Sequence, residues 1–260
     1  MALSLKRWRR DRDPEGTMSM WEHLDEMRTR LIFSIAAVGV GMIGGWFLYS
    51  PVFRRLRDPF CEFMTKNPNL APNPADPCRL VYLKPTEPFI LKLKMVAFIG
   101  IVIALPILLY QLWRFITPGL TERERKYAIP FVLCSVALFA LGTWFAMLTL
   151  PKGLSFLLGF AGTEGISAVL SIAEYIGFVM FVIIAFGAAF EFPLILVSLT
   201  MVGVLSSQQL RRWRRYALVL IAVLAAVITP SADWFTMSAL MLPLLIFYEG
   251  SILIARIMKK

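Results

Sequence analysis

Long stretches without a charged side chain constrain this sequence more than any other feature. Three of them contain no Asp, Glu, Lys or Arg over 19 to 25 residues, and two longer ones are interrupted only by one or two acids. They are Leu31–Phe53, Met95–Trp113, Tyr127–Pro151, Tyr175–Leu210 and Tyr216–Ala255. Roughly 20 apolar residues span a bilayer core, and only helices or closed barrels pair their backbone groups there. Because the alternation of a membrane barrel is absent, the sequence predicts an all-α, polytopic integral membrane protein.

Six transmembrane helices fit these stretches, because the last one has room for two around the turn Thr229-Pro-Ser-Ala-Asp233. We expect spans at about residues 27–50, 88–113, 127–150, 173–200, 212–230 and 234–254. They form one membrane domain at residues 19–256, after a basic tail at 1–18, with an extracytoplasmic loop at 51–87. Capping boxes predict four helix starts, at Ser19, Thr121, Ser171 and Ser206.

The basic residues predict how the spans are oriented. The chain carries 27 Lys and Arg against 17 Asp and Glu, although 58% of its residues are apolar. A soluble domain carries only about 45–50% apolar residues. Eighteen of the 27 basic residues lie in segments on one side of the predicted spans, and such residues mark the cytoplasmic side. We therefore expect both termini to be cytoplasmic, with the basic tail on anionic lipid headgroups.

The last two apolar segments are short. Tyr216–Ala232 and Trp234–Tyr248 contain 17 and 15 residues, or about 26 and 23 Å of helix. A pair of this length is expected to thin the bilayer or to sit among longer helices.

The sequence carries no residue set typical of a catalytic or metal site. His23 is its single histidine, and HExxH, GxSxG and P-loop motifs are absent. We therefore expect no catalytic residue, no metal and no cofactor, and hence no enzyme. The basic run Arg211-Arg-Trp-Arg-Arg215 adjoins a span, so it fits an anchor on membrane lipids better than a nucleic-acid site.

Two of the three cysteines lie in the predicted outer loop. Cys61 and Cys78 flank a Pro/Asn-rich segment, whereas Cys134 lies in span three. Because the outer compartment permits disulfides, we expect Cys61 and Cys78 to be bridged rather than free.

Glu191 interrupts span four, two residues before Pro193. A carboxylate at this depth costs about 2.5–3.5 kcal/mol on insertion scales. Two interpretations stay open: a hydrated polar pocket facing the bundle interior, or a protonated carboxyl hydrogen-bonded beside a proline kink. An alternative for the whole chain is a proton-coupled transporter of a small solute, in which Glu191 would be the proton site.

Two acids on the predicted cytoplasmic face each have an ordinary structural explanation. Glu26 is spaced i,i+4 from Arg30 on a helix, and Glu124 completes the capping box of Thr121. The predicted topology nevertheless collects them on one face with further acids, Glu22, Asp25 and Glu122. Such a cluster suits a basic ligand, and adjacent arginines suit paired carboxylates because each guanidinium forks onto one.

Five motifs occur in a fixed order along the chain. They are His23-Leu-Asp-Glu-Met-Arg28, Leu105–Pro118, Leu120–Lys126, Phe186-Gly-Ala-Ala-Phe-Glu-Phe-Pro193 and Thr229–Asp233. Together they resemble the HLxELR, second-span, first-loop, FGxxFExP and TPPD motifs of the TatC family, the polytopic subunit of the twin-arginine translocase. The resemblance covers about Met20 to Arg256. Met27 stands where the family usually has Leu, and the turn has one extra residue.

The resemblance implies a receptor for twin-arginine signal peptides on folded cargo. It implies that Glu26 and Glu124 receive the two arginines. Phe115 would pack beside the motif, and Arg28 and Arg125 would order the acids.

The resemblance also implies a concave, glove-like bundle in a bacterial inner membrane, with Glu191 as its intramembrane acid. Single-span subunits of the TatA/TatB type would dock against spans five and six, where Thr229 and Asp233 supply polar contacts. Transport would use the proton-motive force, and the chain would form a homo-oligomer within a larger complex. Met237 stands where the family often has Gln.

Overall fold

The computed structural model describes residues 20–66, 76, 78, 80–116, 128–159, 171–229 and 234–258. In these residues the secondary structure is helical, apart from one parallel bridge between Val81 and Ser171. The helices are α1 (Met20–Lys66), α2 (Glu87–Ile116), α3 (Ala128–Gly159), α4 (Ile172–Met201), α5 (Ser207–Arg212), α6 (Arg214–Ile228) and α7 (Trp234–Ile257). The prediction of an all-α membrane protein is confirmed.

Five of these helices are long and apolar enough to cross a membrane, namely α1, α2, α3, α4 and α7. α6 has 15 residues, or about 22 Å, and is short as expected. α7 has 24 residues, or about 36 Å, so the expectation of a short last helix is wrong. Its helical backbone continues past Tyr248 because Ile252 and Ala255 are still packed in the core. The count of six spans stays a prediction.

α1 is far longer than one span. Its 47 residues extend about 70 Å, more than twice a bilayer core of about 30 Å. The sequence predicts a loop from residue 51, yet residues 51–66 are helical despite Pro51 and Pro59. Packing explains this, because Phe60 and Met64 are buried and the Tyr175 hydroxyl donates to the Leu56 carbonyl at 3.0 Å.

α1 and α2 approach each other closely at three glycines. A Cβ atom at Gly41 would lie 2.4 Å from the carbonyl oxygen of Gly100, and one at Gly45 would lie 2.7 Å from the Val96 oxygen. Small residues at i and i+4 allow helix backbones to approach in this way inside a membrane. The α1–α2 pair is thus fixed by backbone contact near its middle.

α4 is the central helix, in contact with α1, α2, α3, α6 and α7. It begins after Ser171, whose hydroxyl accepts a hydrogen bond from the Ala173 amide. The sequence predicted a capping box with Glu174. In the structure, Glu87, which is distant in sequence, accepts hydrogen bonds from the Ser171 hydroxyl and the Ala173 amide.

The opposite end of the bundle is closed by α5 and the end of α7. The capping box predicted at Ser206 is confirmed, with Gln209 as its partner. The Tyr248 hydroxyl donates to the Leu210 carbonyl at 2.7 Å, and Arg214 pairs with Glu249 at 2.5 Å. The side chains of residues 211–215 are exposed, as a lipid-headgroup anchor requires.

We predict that Gly41→Ala lowers the stability of the bundle, because its methyl group would meet the Gly100 oxygen. Overpacking of this kind costs about 1–3 kcal/mol. Gly39→Ala on the same helix is the control, since nothing lies within 4 Å of a Cβ atom there and alanine favours a helix by about 1 kcal/mol. Thermal unfolding in detergent measures both variants. Equal melting temperatures would contradict the close contact.

The predicted cysteine bridge has a geometric basis, because the Cys61 thiol lies in hydrogen-bonding contact with Cys78. The structure holds both as free thiols, and the bridge stays a prediction. We expect denatured protein from aerobic cells to label at one thiol without reductant and at three with it. Loss of the bridge in Cys78→Ser should cost about 3 kcal/mol for a loop of this size. Equal labelling with and without reductant would exclude the bridge.

Candidate functional site

The first candidate site lies where the start of α1 meets the end of α2. Glu26 and Arg30, one turn apart on α1, form an ion pair. Arg30 binds Glu26 through Nη2, and its Nη1 donates to the Gln111 side-chain oxygen of α2 at 3.4 Å. The i,i+4 pair was expected from the sequence, but Gln111 was not, because its contact joins residues 81 positions apart.

The Glu26 carboxylate is only half satisfied. Its side chain is 9% exposed and that of Arg30 is 14% exposed. One oxygen accepts from Arg30, whereas the other is buried and accepts no hydrogen bond from the described part of the chain. A buried polar atom without a partner costs about 1–3 kcal/mol. The free oxygen is therefore a favourable acceptor for a further donor.

The other residues predicted for this site are only partly placed. Arg28 is exposed, and the ion pair to Glu26 comes from Arg30 instead. Phe115 is half-buried in the last turn of α2. Glu124 and Arg125 lie outside the described residues. The structure therefore brings Glu26 together with Arg30 and Gln111, and shows no contact between Glu26 and Arg28.

An aromatic contact joins the two helices that flank residues 117–127. The Trp113 and Phe131 rings are stacked, with centroids 3.7 Å apart and planes at 20°. Trp113 is buried, and its indole nitrogen has no hydrogen-bond partner among the described residues. The stack holds the end of α2 against the start of α3, the two helices that residues 117–127 connect in sequence.

The second candidate site lies inside the bundle around Glu191. Its carboxylate accepts from the Ser135 hydroxyl of α3, and its other oxygen is buried without a partner in the described chain. Two residues further along α4, the Pro193 carbonyl lies 3.2 Å from the Ser251 hydroxyl of α7, which also lies 2.9 Å from the Phe247 carbonyl of its own helix. Polar contacts thus join α4 to both neighbouring helices. The sequence left two interpretations open, a carboxyl that is hydrogen-bonded beside a proline and a polar pocket. The structure has a feature of each, since Glu191 links α4 to α3 near Pro193 and keeps one oxygen without a donor in the described chain.

A small pocket lies where the end of α6 approaches the start of α7. Its polar lining consists of three buried threonines, Thr149, Thr229 and Thr236. The Thr229 hydroxyl donates to the Ala225 carbonyl at 2.7 Å, which satisfies its proton within its own helix. Met237 is half-buried beside the core. Asp233 lies outside the described residues.

Comparisons with known proteins agree over most of the chain. The family described as "Sec-independent protein translocase protein (TatC)" matches residues 22–243, a range that includes Glu26, Glu124 and Glu191. A curated relative of that name from Frankia casuarinae is 38% identical over 250 residues, covering 95% of this chain and 68% of the relative. One from Aquifex aeolicus is 38% identical over 242 residues, covering 92% and 95%.

A solved structure supports the same relationship. It is described as "Crystal Structure of Twin Arginine Translocase Receptor- TatC", and it is 38% identical to this chain with a TM-score of 0.71. The match covers 92% of this chain and all of the solved chain. A second crystal structure of this receptor, in the detergent DDM, gives a TM-score of 0.72.

Proposed function

Because the chain belongs to the TatC family of Sec-independent protein translocase proteins, we propose that it binds the arginine pair of twin-arginine signal peptides, with Glu26 as one acceptor. The observation that supports this most directly is the buried Glu26 oxygen, which accepts no hydrogen bond from the residues that the structure describes. An arginine side chain from a signal peptide would donate to that oxygen while Arg30 keeps the other.

The electrostatics of the site favour an arginine. A guanidinium–carboxylate hydrogen bond is stronger than a neutral one and more so in a partly dry site. Arg30 and Gln111 act as positioning residues, since their contacts hold the carboxylate between α1 and α2. In this arrangement Glu26 binds the ligand through one oxygen, because Arg30 occupies the other.

Glu124 is proposed to receive the second arginine. It belongs to the 117–127 segment, whose flanking helices are held together by the Trp113–Phe131 stack. Phe115 would pack against the peptide beside these arginines. Arg28 and Arg125 would balance the acidic charge, and apolar helix faces would receive the apolar part of the signal.

The wider assembly follows from the family and the charge pattern. Single-span TatA/TatB-type subunits would dock along α6 and α7, near Thr229 and Asp233, with Glu191 as the acid inside the bundle. The chain would form homo-oligomers in the inner membrane, with both termini cytoplasmic. Export of folded cargo would draw on the proton-motive force. The comparisons do not favour the alternative of a small-solute transporter.

We predict that Glu26→Gln weakens binding of a twin-arginine signal peptide by roughly 10- to 100-fold, because a hydrogen bond to a charged group contributes about 1.5–3 kcal/mol. Photocrosslinking of a signal-peptide fusion near residue 26 measures this. Glu62→Gln is a matched control, since Glu62 pairs with Lys66 on the same helix at the same i,i+4 spacing. Equal losses in both variants would show that the acid at Glu26 has no special role.

Glu124→Gln separates arginine recognition from a scaffold role, because the amide keeps the capping geometry and removes the charge. We expect loss of export at normal membrane abundance, read from transport of a folded reporter with a twin-arginine signal. Normal export would favour a scaffold. Solute uptake by vesicles without any signal peptide would favour a transporter.

A further inference from the structure

A cavity of about 200 Å³ lies at the end of the bundle opposite Glu26. Its walls are the first two turns of α2, residues 83–86 and the first turn of α4. None of the residues proposed to contact the signal peptide lines it.

The floor of the cavity is rigid because Glu87 is fully engaged there. Its carboxylate accepts from the amides of Leu83 at 2.8 Å, Lys84 at 3.2 Å and Ala173 at 3.2 Å, and from the Ser171 hydroxyl. These bonds join residues 83–87 to the start of α4. Glu87 thus organises the cavity and has little capacity left for a ligand.

Three other charged groups line the cavity and remain open. The Lys84, Lys94 and Glu174 side chains are exposed. In the described part of the chain none of them forms an ion pair within 4.0 Å. Two lysines and one glutamate therefore line the same space, next to apolar lining from Leu83 and Ile90.

Aromatic side chains adjoin the lining of the cavity. Tyr82 and Phe89, the chain neighbours of the lining residues Leu83 and Ile90, are more than half exposed. On α1, the Trp46 ring centre lies 4.0 Å from the Lys92 ammonium of α2. Exposed aromatic residues of this kind lie at the membrane–water interface. The long stems of lysines allow their ammonium groups to reach that level from within a span.

We propose that this cavity binds the headgroup of an aminophospholipid. Lys84 and Lys94 would bind the phosphate, and the Glu174 carboxylate would bind the lipid ammonium. The acyl chains would leave along Leu83 and Ile90. The proposal depends on the spanning arrangement of α2 and α4 and not on recognition of twin arginines.

Native mass spectrometry of the full-length protein, released from nanodiscs of phosphatidylethanolamine and phosphatidylglycerol, tests the proposal. We expect the double variant Lys84→Gln/Lys94→Gln to retain about tenfold less phosphatidylethanolamine, because it loses both charge-assisted contacts to the lipid phosphate. The control Lys66→Gln removes an exposed lysine outside the cavity. Lys84→Arg/Lys94→Arg should restore retention, which separates phosphate binding from a folding defect. Equal retention by wild type and the glutamine variant would overturn the proposal.

Two further measurements distinguish an aminophospholipid from a simple anion. Glu174→Gln should lower retention of phosphatidylethanolamine and leave that of phosphatidylglycerol unchanged, because only the first carries an ammonium group. Millimolar inorganic phosphate should not displace the lipid. Displacement by phosphate, or an equal loss of both lipids in Glu174→Gln, would show a simple anion site and contradict an aminophospholipid site.

Discussion

The close contact between α1 and α2 sets the geometry of both ends of the molecule. Gly41 and Gly100 bring the two backbones together near mid-length. Arg30 precedes Gly41 by eleven residues and Gln111 follows Gly100 by eleven, so in an antiparallel pair they meet. At the other end, Lys92 lies about one turn from the α2 position opposite Trp46, and its ammonium reaches over the Trp46 ring. The contacts of Glu26, Arg30 and Gln111 at one end, and the cavity around Glu87 at the other, both lie on a helix pair whose close contact only glycine permits.

The sequence predicted the second and fourth spans, 88–113 and 173–200, to within three residues of the ends of α2 and α4. It did not predict that α1 continues to Lys66, because Pro51 and Pro59 are typical helix ends. A proline removes only one backbone hydrogen bond, and burial of Phe60 and Met64 outweighs that loss. The capping of α4 was likewise missed, since Glu87 lies 84 residues from Ser171.

The sequence predicted the candidate site in part. The i,i+4 spacing indicated that Glu26 pairs with Arg30, and this ion pair is present. The contacts that Gln111, Ser135 and Ser251 make with other helices were not recognised, because spacing along one helix does not show which residues of two helices meet. Its position inside an apolar span marked Glu191 as unusual, but the hydrogen bond from Ser135 of α3 is visible only in the structure. Local spacing thus identifies pairs on one helix and misses pairs between helices.

The uninterrupted length of α1 has a mechanical consequence. Glu26 and Cys61 lie on one helix, separated by about 50 Å at 1.5 Å per residue. At that distance a tilt of only about one degree displaces the far end by about 1 Å. A tilt of α1 at Glu26 would therefore alter the packing of Phe60 on Tyr175, whose ring centres lie 5.1 Å apart. Pro51 and Pro59 lie between the two positions, so a bend of α1 at either proline would absorb part of this displacement.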